Sequence, residues 1–171
     1  YDDKYLLTAT SRWDGSSRFG ANSKWGYFPS VGLGWRLSQE SFLKSNKVIT
    51  NLKIRSSFGI TGNQEIGNYK SLAQLTGSNY TDGSSVIYGF KESIGNGDLK
   101  WERTTQLDLG FDLGLWNRMD IAFDYYIRNT NDLLYDVPIP STSGYSRILS
   151  NIGKVTNKGW ELSVGGTIIQ N

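Results

Sequence analysis

Few residues here could carry chemistry, and two side-chain types are missing outright. The 171-residue sequence contains no His and no Cys. That excludes zinc sites built from Cys and His, Cys nucleophiles, and any triad that uses His as its base. Asp and Glu could hold calcium or magnesium, but no D-x-[DN]-x-[DN]-G loop occurs. The Gly-rich stretch 14–26 lacks the G-x-x-x-x-G-K-[ST] pattern, so it reads as a loop shaped by turn chemistry and not as a phosphate cradle. No cofactor is implied. Asp108 and Asp112, four residues apart on one face, have the residue types of a glycosidase acid/base pair. Nothing nearby raises the pKa of either, and polarity of a wet wall explains them better. Arg36, Lys53 and Arg55 could attract acidic ligands, or serve as solvated or ion-paired wall residues. Trp101, Tyr80, Tyr88 and Tyr145 fall in loop-like segments, where aromatic rings could stack on sugars, pack the loops, or meet a partner.

The elements that must position these residues are strands. Period-2 alternation is the dominant pattern. It marks six runs, near 5–14, 26–37, 52–61, 104–115, 119–128 and 159–168. In the first, Tyr5, Leu7, Ala9, Ser11 and Trp13 oppose Leu6, Thr8, Thr10, Arg12 and Asp14. In the fourth, Leu107, Leu109, Phe111, Leu113 and Leu115 oppose Gln106, Asp108, Gly110, Asp112 and Gly114. The polar faces collect Arg12, Arg36, Lys53, Arg55, Asp108, Asp112, Asp124 and Arg128. Pro29 cannot donate to a ladder, so it belongs near a strand end or bulge.

The connections alternate in kind. Residues 15–25, 62–103 and 129–158 are polar and mostly long; 38–51 and 116–118 are compact. With strands running up and down, the three long ones share one end and the two compact ones the other. Outer-membrane barrels have that asymmetry, with long external loops and short periplasmic turns. The segment 38–51 is expected to hold a short helix near 40–44 capped by Ser38, and 69–90 a local hairpin.

Two features separate a membrane wall from a soluble β-sandwich, which also alternates. The runs approach the ~9–11 residues of a tilted spanning strand, against ~5–6 for soluble strands. Tyr5 and Trp13 lie eight residues apart on the apolar face, and Tyr27 and Trp35 repeat the spacing. At ~3.3 Å per residue and ~40° tilt, eight residues rise about 20 Å, near the ~25 Å apolar band of such barrels. Trp116 and Trp160 join these four as expected girdle residues. No apolar run nears the ~20 residues of a membrane helix, which bears on helices alone. Lys plus Arg number 18 and Asp plus Glu 16, so there is no electrostatic footprint for nucleic acid.

A set of segments, in order, resembles the SusC/RagA family of TonB-linked outer-membrane proteins of Bacteroidetes. They are Asp14-Gly-Ser-Ser-Arg-Phe-Gly20, Trp25-Gly-Tyr-Phe-Pro-Ser-Val31, Gly34-Trp-Arg36, Asn51-Leu-Lys-Ile-Arg55, Gly62-Asn-Gln64 and Ile66-Gly-Asn-Tyr69. Further along are Leu99-Lys-Trp-Glu102, Asp124-Tyr-Tyr126, Pro138-Ile-Pro-Ser-Thr-Ser-Gly144, Asn151-Ile-Gly153 and Asn157-Lys-Gly159. Residues 70–97 match poorly, and Asn96-Gly-Asp98 departs from the family's Asn-Pro-Asp. The resemblance implies an all-β, antiparallel, up-and-down transmembrane barrel of ~22 strands, of which this chain supplies about six. It implies uptake of glycans, or of peptides in some members, and no catalysis. It also implies a SusD-like surface lipoprotein outside, the TonB complex on the periplasmic side, and location in the outer membrane among its lipids. Both chain ends read as cuts. Plug, TonB box and signal peptide are expected outside residues 1–171. The alternatives are a soluble carbohydrate-binding sandwich module and a siderophore or vitamin receptor of the TonB-dependent class.

Overall fold

In a computed structural model, the backbone is described for residues 1–76, 80–81, 86–87 and 90–167, and side chains for 1–74 and 94–167. The strands are β1 (Tyr5–Gly15), β2 (Trp25–Arg36), β3 (Ile49–Asn63), β4 (Gln74–Thr76), β5 (Tyr80–Thr81), β6 (Val86–Ile87), β7 (Phe90–Ser93), β8 (Glu102–Leu115), β9 (Met119–Asn131), β10 (Leu134–Pro138), β11 (Arg147–Asn151) and β12 (Lys154–Gly166). Six of them form one antiparallel sheet in the order β1-β2-β3-β8-β9-β12. Once the small hairpins inside the connections are set aside, sheet order follows chain order. This is the expected up-and-down meander.

The sheet has one apolar and one polar face, and the register carries each face across all six strands. Tyr5 pairs with Trp35, Trp35 with Ile54, Ile54 with Phe111, Phe111 with Phe123, and Phe123 with Leu162. A slip of one residue anywhere would have mixed the faces. Among the described residues, no second sheet covers the apolar face. Leu7, Leu33 and Leu162 are 71%, 57% and 56% exposed. The soluble sandwich is therefore set aside, since its apolar face would be its core.

Several boundaries differ from the sequence reading. β9 runs on to Asn131, and β12 begins at Lys154, ahead of the expected 159. Alternation of apolar side chains ends where burial in an apolar medium ends, whereas the ladder needs only N–H and C=O groups. Thr104 with Thr130, and Thr156 with Asn129, bond side chain to side chain along this polar extension. The helix expected at 40–44 is absent. Leu37–Gln39 forms a 3-10 turn without a side-chain cap, and one further turn follows, with the N–H of Lys44 bonded to the carbonyl of Glu40. A single turn gives too few bonds to offset helix nucleation. The hairpin expected near 69–90 is present but set later, with β4 paired to β7 and β5 to β6.

Compact turns close the lower end. Trp116 and Asn117 both take φ of 52°, the left-handed conformation of a two-residue hairpin turn. The N–H of Arg118 bonds to the carbonyl of Leu115 at 2.9 Å.

Candidate functional site

The polar face gathers its charges into one bonded network over β3, β8 and β9. Arg55 donates to Asp112 at 2.9 Å and to Asp124 at 3.1 Å. Asp108 accepts from Ser57 at 3.0 Å and from Gln106 at 2.8 Å, and Gln106 accepts from Arg128 at 3.0 Å. Gly110 makes room for this, since a Cβ there would lie 2.2 Å from Asp124 Oδ1 and 2.8 Å from the carbonyl of Phe123. Lys53 sits opposite Asp112 in the register, and Arg12 bridges to Asp14 at 2.8 Å. Arg36 reaches Asp3 at 2.7 Å. A shallow groove on this face is lined by Thr8, Lys53, Arg55, Ser57, Asp108 and Asp124. Asp108 and Asp112 are thus each held by donors in a half-exposed wall. That is the arrangement of a hydrated polar surface, and it gives an acid/base pair no support.

The three long connections meet at the upper end around four buried side chains, Phe19, Phe28, Leu99 and Trp101. Trp101 lies 5.0 Å from the Phe19 ring and 5.3 Å from that of Phe28, and its Nε1 donates to the carbonyl of Lys24 at 3.3 Å. Leu134 and Leu149, on the β10–β11 hairpin, pack against the same cluster. Polar ties join the same segments. The Asn151 amide donates to the carbonyls of Lys100 and Asp132, and Lys100 pairs with Asp132 at 3.0 Å. Arg18 donates to Asn68 and to the carbonyl of Gln64. The parity inference that these connections share one end is therefore met in space.

The cluster also fills a fork in the sheet. The β2–β3 ladder stops at Ser30 opposite Gly59, beside Pro29, which has no N–H to give. β1–β2 and β3–β8 each continue upward beyond that point. Phe28 rests in the gap, over Gly26 and Gly62, where any Cβ would strike its ring.

The apolar face is bounded by aromatic pairs. Trp13 and Tyr27 sit 4.8 Å apart at the top of β1 and β2, and Tyr5 and Trp35 6.2 Å apart at the bottom. Glu40 caps the lower pair, accepting from Tyr5 Oη at 2.8 Å and from Trp35 Nε1 at 3.1 Å. These two bonds, with Trp35 first, hold the Glu40 carboxyl below its ordinary range. Trp160 gives the geometry of the whole band. Through Tyr125, Leu109, Ser56 and Leu33 it is in register with Leu7, six residues below Trp13. Six residues at ~3.3 Å are about 20 Å, and five strand spacings of ~4.8 Å are about 24 Å. Placing Trp13 and Trp160 at one level therefore inclines the strands by about 40°, within the ~35–45° tilt of outer-membrane barrels.

Of the aromatics expected to reach substrate or a lid, Trp101 is corrected. It is 6% exposed, a core residue of the loops, because its indole fills the fork above Pro29. Tyr145 is half-buried near the tip of the β10–β11 hairpin. Tyr88 lies outside the described residues, as does the side chain of Tyr80. Trp116 and Trp160 are exposed, at 54% and 68%. The sequence reading missed Glu40 and the Phe19–Phe28–Leu99 cluster. Phe28 left a legible sign, an aromatic on the otherwise polar face of β2. Glu40, in a polar turn, left none.

These features define a piece of the wall of a large β-barrel. Residues 1–168 match the family model described as TonB dependent receptor-like, beta-barrel, and the chain belongs to that family. It is 47% identical over 173 residues to TonB-dependent receptor P39 of Formosa agariphila, covering 100% of this chain and 16% of that protein. It is 41% identical over 169 residues to TonB-dependent receptor SusC of Bacteroides thetaiotaomicron, covering 95% of this chain and 17% of the other. Among solved structures, a chain of the RagAB peptide importer in its closed-closed state superposes with a TM-score of 0.91 at 38% identity. That match covers 100% of this chain and 19% of the importer chain. The chain thus spans less than a fifth of each of these relatives.

Proposed function

We propose that this chain is wall from an outer-membrane importer of the SusC/RagA type. Such a protein takes up oligosaccharides or peptides with energy delivered by TonB, beneath a SusD-like lipoprotein lid. The observation that carries the reading is the one-sided sheet. An apolar face with no covering layer is stable only in a medium that is itself apolar. Its aromatic borders and ~40° tilt fit the thickness of that medium. The polar face then lines a lumen wide enough for water or a plug, because dry packing of Arg55 and three carboxylates would be costly. Wall residues guide and exclude solutes, and no catalysis is assigned to them. A siderophore or vitamin receptor is less favoured, because identity of 38–47% across nearly the whole chain falls on P39, SusC and RagAB.

The test is fractionation of the full-length protein. It should enter the outer membrane and run faster on a gel before boiling than after. A soluble protein with no heat shift would overturn the reading. Uptake of oligosaccharides and of peptides, each offered as sole nutrient to a deletion strain, separates the substrate classes.

A further inference from the structure

The register sorts charge by face with no exceptions among the six wall strands. Every carboxylate on them lies on the polar face: Asp14, Glu102, Asp108, Asp112, Asp120, Asp124 and Glu161. The apolar face carries three charges, and all are cations. They are Arg103 on β8 and Lys154 and Lys158 on β12. All three are exposed, and none makes a salt bridge among the described residues.

Their positions are specific. Arg103 pairs with Asn131, and Asn131 with Lys154, so the two cations flank Asn131 in one row. Two strand spacings separate them, about 10 Å. Lys158 stands four residues below Lys154 and two above Trp160 on the same face, which puts it about 5 Å above the aromatic border at ~40° tilt. The long connections mark this end as the external one. At that height a membrane offers lipid headgroups. A long basic side chain there lays its methylenes on apolar surface and turns its charge toward phosphate.

We propose that Arg103, Asn131, Lys154 and Lys158 form a site for the phosphate headgroup of an anionic lipid in the external leaflet. Arg103 supplies a planar fork suited to phosphate, the two lysines supply point charge, and the Asn131 amide supplies a neutral donor. Asn131 is half-buried between the two cations, and Arg103 is steadied by a bond from its guanidinium to the carbonyl of Tyr27 at 3.4 Å. Binding here would clamp β8, β9 and β12 together at the membrane surface. The inference rests on the outer-membrane reading, and its test is kept separate from that one.

The experiment uses the full-length protein in detergent, after its heat-shifted mobility has verified the barrel. Lipid A bearing phosphate, the same glycolipid stripped of phosphate, and inorganic phosphate alone are titrated against it, with bound lipid counted by native mass spectrometry. The phosphorylated lipid should bind, and the stripped lipid should bind at least tenfold more weakly. Each cation near an anionic surface contributes about a fivefold effect, so R103Q/K154Q/K158Q should weaken binding by one to two orders of magnitude. R103K/K154R/K158R should retain most of it. Equal binding of stripped lipid to the unaltered protein overturns the proposal without reference to any variant. Equal binding by the charge-removed variant, or capture of inorganic phosphate in preference to lipid, also overturns it. A protein with no heat shift overturns the barrel reading instead.

Discussion

Replacing Trp101 with Ala tests whether its ring is a structural keystone or a ligand platform. The indole is 6% exposed and touches Phe19 and Phe28. Removing a buried Trp typically costs about 3–5 kcal/mol, including ~0.5–1.5 kcal/mol for each aromatic pair. The long Nε1 bond to Lys24 adds ~0.5 kcal/mol at the low end of the hydrogen-bond range. The loss falls on the loop cluster, since the ladders of β1–β2 and β3–β8 do not pass through it. Amides bonded within the cluster, such as Gly20 to the carbonyl of Leu99 and Lys100 to Asn151, should exchange at least a hundredfold faster, at ~1.4 kcal/mol per tenfold. Ladder amides of β8 and β9 should keep their protection. W101F retains the ring contacts and should lose about 1–2 kcal/mol. The assay is hydrogen exchange by mass spectrometry on the full-length protein in detergent. If W101A leaves the loop amides protected yet abolishes ligand uptake, the keystone argument fails and the ring contacts ligand.

Charge placement should divide the two faces. Leu33→Arg, on the apolar face between the aromatic borders, should destabilise the folded barrel by ~2–4 kcal/mol, whereas Thr8→Lys on the polar face should stay within ~0.5 kcal/mol in urea titrations. Gly110→Ala puts a methyl against Asp124 and the Phe123 carbonyl, so it should lose ~1–3 kcal/mol in the same titration; an unchanged midpoint would mean the Arg55 network is not packed as described. Glu40 has its carboxyl held below the ordinary value of 4.5 by Trp35 and Tyr5. A lowered carboxylate stabilises the fold above that value, and the contribution is lost as pH falls through the folded value. The Trp35 emission should therefore shift only on acidification below pH 4.5, and Glu40→Gln should remove that step.

Alternation was enough to identify the strands, their two faces and the end at which the long connections gather, because side chains change sides with every residue. The membrane argument from Tyr5–Trp13 and Tyr27–Trp35 was legible for the same reason. Register was not legible. It depends on which carbonyl meets which N–H between strands as distant as β3 and β8, and only it brings Arg55 to Asp112 and Asp124. Strand ends were misjudged at β9 and β12, since pairing outlasts apolar alternation. Trp101 was misassigned because a loop position says nothing of burial. The fork at Pro29, and the convergence of Phe19, Phe28 and Leu99 on it, arise from contacts between segments some eighty residues apart. The row of Arg103, Asn131 and Lys154 is of the same kind: three unremarkable polar residues in the sequence, made neighbours by two ladders.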